Sequence, residues 1–358
     1  MRRFGVLVLM WVCFRLFGAP AVLAATQPHD NFSHNQEACS TCHGKDPAVK
    51  TCYACHDGTM STYNVLDGLI GATGTRTAGG LFGRGNESGL SHHDIDTGIT
   101  VAAAPGGPER EQADQNGEWT ETFTCASCHT IHKGTNSRLL NPNPNGVAML
   151  RQVTGEVLRA VSPGMIYAGS KPGWIDGYPY SQYTKIYVNG AIQSTGFAIN
   201  YWEGTVAFNP AISPAAQVKA DYVPGIQVAF VVTGKYTVDE KVTYLEGINE
   251  FCGACHTDYN TATTGINAGH TAGGSYRTAF RHGVGMVWDD LQHNTNIIQG
   301  SQLHFENVHG QSGTVTCLTC HYAHGTDDEL MGVNNPDGRS SALKRLGNST
   351  LCEMCHQK

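Results

Sequence analysis

The chain has 358 residues, 40% of them apolar and 15% charged, with 43 glycines and a formal charge of −7 when histidine is neutral. Length alone allows about two domains, while the glycine content and sparse Leu, Ile, Val and Phe argue against one large conventional core. The acidic balance disfavours nucleic acid or an anionic membrane surface as a partner.

In chain order, the first element is a candidate export signal. Arg2 and Arg3 precede an apolar run from Phe4 to about Phe17, followed by small residues through Ala24-Ala25. A basic start, a short apolar stretch and a small-residue cut are the parts of a secretory signal peptide, here residues 1–25. A membrane anchor is the weaker reading, because Arg15 interrupts a run already shorter than the roughly 20 residues a span needs. No later segment is suited to span a membrane. Removing Arg2, Arg3 and Arg15 takes the 23 basic residues to 20 against 30 acids, a charge of about −10. The expectation is an exported protein, extracellular or at the cell surface, or alternatively periplasmic.

Cys13 leaves with that segment, and the other 12 cysteines fall into six C-x-x-C-H units with none left over. The units are Cys39/Cys42/His43, Cys52/Cys55/His56, Cys125/Cys128/His129, Cys252/Cys255/His256, Cys317/Cys320/His321 and Cys352/Cys355/His356. Two cysteines three residues apart on one turn can each form a thioether to the same porphyrin, and the next histidine then reaches the iron. The spacing therefore reads as c-type haem attachment, with six haems expected. Zinc sites, disulfides and thioredoxin-like pairs compete, but none of these repeats one local spacing six times with a histidine after each.

An iron held by one histidine can take a substrate; one held by two is closed and only changes oxidation state. Of 17 histidines, 11 lie outside the motifs, which is ample for bis-histidine ligation of all six haems. The candidates for the second ligand are His29, His34, His92, His93, His132, His282, His304, His309 and His324. His132 and His324 follow their motif histidines by three residues and so share a helical face with them. One haem cannot take both, so each is expected to reach a neighbouring haem. One of the adjacent His92-His93 pair is expected to ligate. His29 and His304, like His270 and His293, are equally readable as surface or hydrogen-bonded histidines. Met60, Met149, Met165, Met286, Met331 and Met354 share no placement relative to the motifs.

The first two motifs begin only 13 residues apart, so their haems are expected to be close neighbours. A Gly/Thr-rich loop runs from about Asp67 to Gly89, and the third motif follows. Between His132 and Cys252 there is neither histidine nor cysteine. Alternating apolar and polar residues at 184–190, 197–204, 205–210, 217–223 and 227–233, broken by turn residues, predict a small antiparallel β-module there. It loosely resembles short β-rich units of surface and appendage proteins. The predicted organisation is a signal peptide at 1–25, an N-terminal three-haem region at 26–144, a haem-free β-rich insertion at 145–250 and a C-terminal three-haem region at 251–358. The predicted fold is a mostly irregular multihaem cytochrome c, with short helices wrapped around a haem chain, plus the small antiparallel β insertion.

The stretches Phe123-Thr-Cys-Ala-Ser-Cys-His-Thr-Ile-His132, Phe251-Cys-Gly-Ala-Cys-His-Thr-Asp258 with the later Arg281-His282, Val315-Thr-Cys-Leu-Thr-Cys-His-Tyr-Ala-His-Gly325 and Leu351-Cys-Glu-Met-Cys-His-Gln-Lys358 resemble the filament-forming extracellular multihaem cytochromes of the OmcS and OmcE type. The first two motifs depart from that pattern and look like generic doubled-motif cytochromes. The resemblance implies a continuous haem chain through a polymer of identical subunits, passing electrons to redox partner cytochromes and an extracellular acceptor. It also implies that a histidine near the mature N-terminus, His29 or His34, ligates a haem of the next subunit. Three functions stay open: a conductive filament subunit, a monomeric periplasmic or surface carrier, and, less favoured, a multihaem reductase. A reductase needs an open iron, commonly signalled by an altered motif, and all six motifs here end in histidine.

Overall fold

The computed structural model describes residues 48–85, 90–95, 97–101, 104, 122–130, 136–176, 180–236, 239–256, 284–285, 305–308 and 311–327. The signal segment, the first motif (Cys39, Cys42, His43), the last motif (Cys352, Cys355, His356) and His29, His34, His132, His282, His304 and His309 lie outside those residues.

Residues 153–222 form two four-stranded antiparallel sheets. One has the order Phe197–Asn200, Thr205–Phe208, Ile166–Ala168, Arg159–Ser162; the other Val153–Val157, Val218–Tyr222, Lys185–Val188, Ala191–Gln193. Successive strand residues point to opposite faces. Accordingly Val218, Ala220 and Tyr222 are buried while Lys219 and Asp221 between them are only half-buried. The buried faces of both sheets meet in one core of Leu158, Tyr167, Trp174, Ile186, Val206, Phe208, Val218, Ala220 and Tyr222. Trp174 stacks on Tyr222 at 4.1 Å between ring centres and donates its indole N–H to Lys171 O at 2.7 Å. Tyr222 in turn donates its hydroxyl hydrogen bond to Glu156. Asn189-Gly190 joins two of the strands, with both residues at positive φ (50° and 82°) and Val188 paired to Ala191. A two-residue Asn-Gly turn of this kind matches the twist of the hairpin it closes.

β-Structure does not stop at this module, and here the fold departs from the predicted one. Strands take 35% of the described residues and helices 21%. A fold of short helices wrapped around a haem chain, with β-structure confined to a small insertion, is therefore not what forms. A seven-stranded sheet draws together Tyr63–Asn64, Leu69–Ile70, Thr75–Arg76, Ala229–Tyr236, Asp239–Glu246, Phe305–Val308 and Gln311–Val315. Asp239–Glu246 is its hub: it pairs antiparallel with Ala229–Tyr236 and parallel with both Thr75–Arg76 and Phe305–Val308. Segments flanking the motifs thus satisfy their backbone groups across a sheet, as chain carrying buried N–H and C=O groups must. Behind it, Ala78, Ile226, Val228, Val242, Tyr244, Ile248, Ala254 and Leu318 form a second core. Ile248, Ala254 and Leu318 belong to the fourth and fifth motif turns or border them, so this core seats both motifs.

A third junction matters for the site. Ser91–His92 pairs antiparallel with Gly325–Thr326, and Gly80 bridges Gly325 on the other side. His324 N donates to Gly79 O at 2.7 Å, Leu81 N to Gly325 O at 3.0 Å and His93 N to His324 O at 2.9 Å. Gly80 makes this approach possible: its φ is +78°, and a β-carbon there would stand 2.1 Å from Gly325 O and 2.6 Å from Tyr322 Cβ. Gly80→Ala is therefore expected to cost about 1–3 kcal/mol from the backbone conformation alone, before the clash is counted. A lowered chemical-denaturation midpoint is the measurement that checks it, and an unchanged midpoint would show that the three segments do not meet as described.

Candidate functional site

Four of the six C-x-x-C-H units are described, and each lies on a short helical element. The second is carried by the helix Ala48–His56. The third, fourth and fifth lie on Cys125–Cys128, Ile248–Gly253 and Cys317–Cys320 or run off their ends. In the last three the motif histidine donates its backbone N–H to the carbonyl of the first cysteine: His129 to Cys125 at 2.9 Å, His256 to Cys252 at 3.0 Å and His321 to Cys317 at 3.0 Å. Both thiols and the imidazole thereby leave one turn. The residue between the cysteines helps close it. Thr124 N donates to Ser127 Oγ at 3.0 Å, and Thr316 N to Thr319 Oγ1 at 2.9 Å. Thr-Cys-x-Ser/Thr-Cys-His is visible in the sequence at both places, a local capping signal that motif spacing alone overlooks.

The motif turns lie side by side. The helices Ala48–His56 and Cys125–Cys128 pack together, so that the neighbouring Cys125 thiol holds Cys52 down at about 7 and is itself pushed up by Cys52. Cys252 is likewise pushed well up, first by its hydrogen bond to Cys317 and then by burial. Burial pushes Cys128 up to about 11; burial and then the Cys128 charge push Cys255 up to about 12. Apart from Cys52, these perturbed thiols stay protonated at neutral pH, which is the reverse of the lowered pKa an isolated nucleophilic cysteine needs.

In the second motif the two thiols have different neighbours. Cys52 meets Cys125, whereas Cys55 Sγ donates to Met60 Sδ at 3.6 Å on the exposed side of the turn. The cause is local. Gly58, at φ +93°, turns the chain back after His56, and Ser61 N donates to Cys55 O at 2.8 Å, which brings Met60 beside the thiol. A thioether at Cys55 would replace this sulfur contact, a weak one.

Three candidate second ligands are described, and two face motif histidines. The His324 ring lies 6.3 Å, centre to centre, from that of His129, the histidine of the third motif. The His93 ring lies 6.1 Å from that of His256, the histidine of the fourth. Pairing of the 91–92 and 325–326 strands brings His93 and His324 into place from opposite ends of the described chain. His92 lies instead against Phe82, edge-on at 6.4 Å, and its Nδ1 donates to His93 O at 2.9 Å.

Each ring has a defined state. His93 Nδ1 donates to Ala323 O at 2.6 Å and His129 Nδ1 to Arg138 O at 3.0 Å. That bond fixes the tautomer and leaves Nε2 with its lone pair, the arrangement typical of metal-ligating histidine. Desolvation by the surrounding protein, then the His256 charge, pushes His93 down to about 4, although part of its ring remains accessible. Desolvation, then His129 and His93, pushes His324 down to about 3. Burial therefore keeps His324 a neutral imidazole, the form that binds metal, while His93, an exposed residue, is only pushed toward that form. His324 stacks on Phe82 at 4.5 Å, and its Nδ1 is buried without a hydrogen-bond partner. Gly79 admits this ring: a β-carbon there would sit 3.2 Å from His324 Cε1 and Nδ1.

A haem iron suits this donor set. A metal–imidazole bond of about 2.0–2.1 Å, with roughly 1.2 Å from nitrogen to ring centre, puts two rings sharing one ion about 6.4–6.6 Å apart. The two observed separations, 6.3 and 6.1 Å, lie just below the short end of that span. Zinc fits less well: among the described residues no three His, Cys, Asp or Glu side chains converge on one point, whereas a structural zinc needs four ligands. No helix among the described residues is long and apolar enough to cross a membrane. No family model, curated protein or solved structure matches this chain.

Proposed function

We propose that the chain is a hexahaem c-type cytochrome whose business is electron transfer, with irons closed by two histidines. The facing of His129 by His324 and of His256 by His93, each a little closer than two rings about one ion, carries the reading. Cys125 and Cys128 would hold one haem covalently, with His129 and His324 as its axial pair. Cys252 and Cys255 would hold another, with His256 and His93. Haem supplies a reversible one-electron couple, and two histidines leave the iron no position for a substrate. The residues do the remainder: the sheet core seats the motif turns, the carbonyls of Ala323 and Arg138 orient two of the rings, and Phe82 and Phe123 pack beside the distal histidines. Motif turns that touch through Cys52–Cys125 and Cys252–Cys317 favour a path from haem to haem over isolated redox centres.

By its resemblance in the motif surroundings, the protein works outside the cytoplasm and its subunits polymerise to extend that path. Six covalent haems per chain are expected by pyridine haemochrome assay and intact mass, with no titratable thiol after denaturation. Cysteines recovered free, or released as disulfides by reductant, would sink the reading. Low potentials throughout are expected, since methionine ligation raises them. Only dispersed particles by negative-stain microscopy at high concentration would dispose of the polymer.

A further inference from the structure

Arg138 and Glu240 form an ion pair, Nη2 to Oε1 at 2.5 Å, with the Glu240 side chain only 3% exposed. Burying such a pair costs desolvation that its mutual attraction barely offsets, so stability alone is a poor reason to keep it. Its surroundings offer a better one.

On the arginine side, Arg138 and Leu139 adopt left-handed backbone conformations, φ 53° and 56°, which ordinary residues avoid. The loop is held there from below. Buried Asn136 donates to Ile226 O at 2.8 Å and accepts from Val228 N at 2.9 Å, and Ser137 N donates to Val228 O at 3.0 Å. The result aims Arg138 O at His129 Nδ1. The guanidinium lies over the rings of Tyr63 and Phe230, at 5.1 and 5.3 Å. On the glutamate side, Oε2 accepts from Ala78 N at 3.1 Å. The next residue, Gly79, accepts from His324 N at 2.7 Å and leaves room for its ring. One ion pair therefore ties the segment that orients His129 to the segment that places His324.

We propose that Arg138–Glu240 is a positioning and tuning element for the haem between His129 and His324, setting their separation and that haem's reduction potential. The inference rests on the proposed haem ligation. A nearby cation favours the reduced, less positive iron and a nearby anion the oxidised one, and net charge is among the levers that set haem potentials.

The test uses the full-length hexahaem protein and a redox titration resolved haem by haem through EPR. R138Q keeps the backbone carbonyl and removes the positive charge; it is expected to lower the potential of one haem of six. E240Q is expected to raise the potential of the same haem. Each shift should be about tenfold in that haem's oxidised-to-reduced ratio at fixed potential, about 59 mV for one electron. R138Q/E240Q is expected to fall between the two. Opposite signs are the outcome that mere loosening of the fold does not produce. Shifts of the same sign, or none with six low-spin haems retained, overturn the proposal. Where R138Q loses haem, R138K, which keeps the charge, must restore six low-spin haems and the parent potential, and its failure to do so also overturns it. A parent protein without covalent haem would instead refute the haem reading itself, so the two failures are distinct.

Discussion

Replacing His324 with alanine is expected to convert one haem of the six from low spin to high spin and to create one carbon monoxide site per chain. The ring faces His129 at 6.3 Å, is held neutral by its surroundings, and carries a buried nitrogen without a hydrogen-bond partner. In the proposed ligation, loss of the ring would leave the iron on His129 one protein ligand and an open position. His93→Ala is expected to do the same to a different haem, the one on His256, and the double variant to open two. EPR and a carbon monoxide difference spectrum read the count directly. Six low-spin haems in H324A would mean that His324 ligates nothing. Two opened haems in either single variant would mean that the rings are not paired as their spacing indicates. Six covalent haems should remain, because the thioether cysteines are untouched.

The second large effect lies far from the motifs. Trp174 is 4% exposed and Tyr222 fully buried, and their rings stack at the centre of the two-sheet core. Trp174→Ala removes the largest side chain of that cluster and leaves the Lys171 carbonyl without the indole donor. The expected cost is about 3–5 kcal/mol, the range for truncating a large buried aromatic, seen as a lower unfolding midpoint. Haem content and the potentials of the haems on His129 and His256 should not change, since none of those ligands belongs to this core. A loss of haem in W174A would show that the module supports the motif region directly.

The two-sheet module is legible along the chain because its signal is local. The alternation read at 184–190, 197–204, 205–210 and 217–223 contains strands of the module, and Asn189-Gly190 falls on the tight turn between two of them, whereas that at 227–233 falls on Ala229–Tyr236 of the seven-stranded sheet. The seven-stranded sheet is not legible. Three of its strands, Tyr63–Asn64, Leu69–Ile70 and Thr75–Arg76, are two residues long and too short for any period to show. They pair locally with one another, and only Thr75–Arg76 joins Asp239–Glu246, far along the chain, a pairing decided by tertiary packing. That is why a fold of short helices around a haem chain was the natural expectation and a β-rich one is found.

The six cysteine–histidine units are a matter of sequence alone, because attachment chemistry needs only one turn of chain. In the third, fourth and fifth units a local hydrogen bond from the histidine N–H to the first cysteine's carbonyl closes that turn, and distant residues such as Asn249 and Asn145 only add to it. Which histidine faces which unit is a different kind of fact. His324 follows its own motif histidine by three residues yet faces His129, and of the adjacent pair it is His93, not His92, that faces His256. Those choices arise where 79–81, 91–93 and 323–326 come together, a junction permitted by the missing side chain of Gly80 and closed by backbone hydrogen bonds. Spacing along the chain carries no trace of such a meeting, so the sequence supplies the histidines and only the tertiary structure decides which of them face each other.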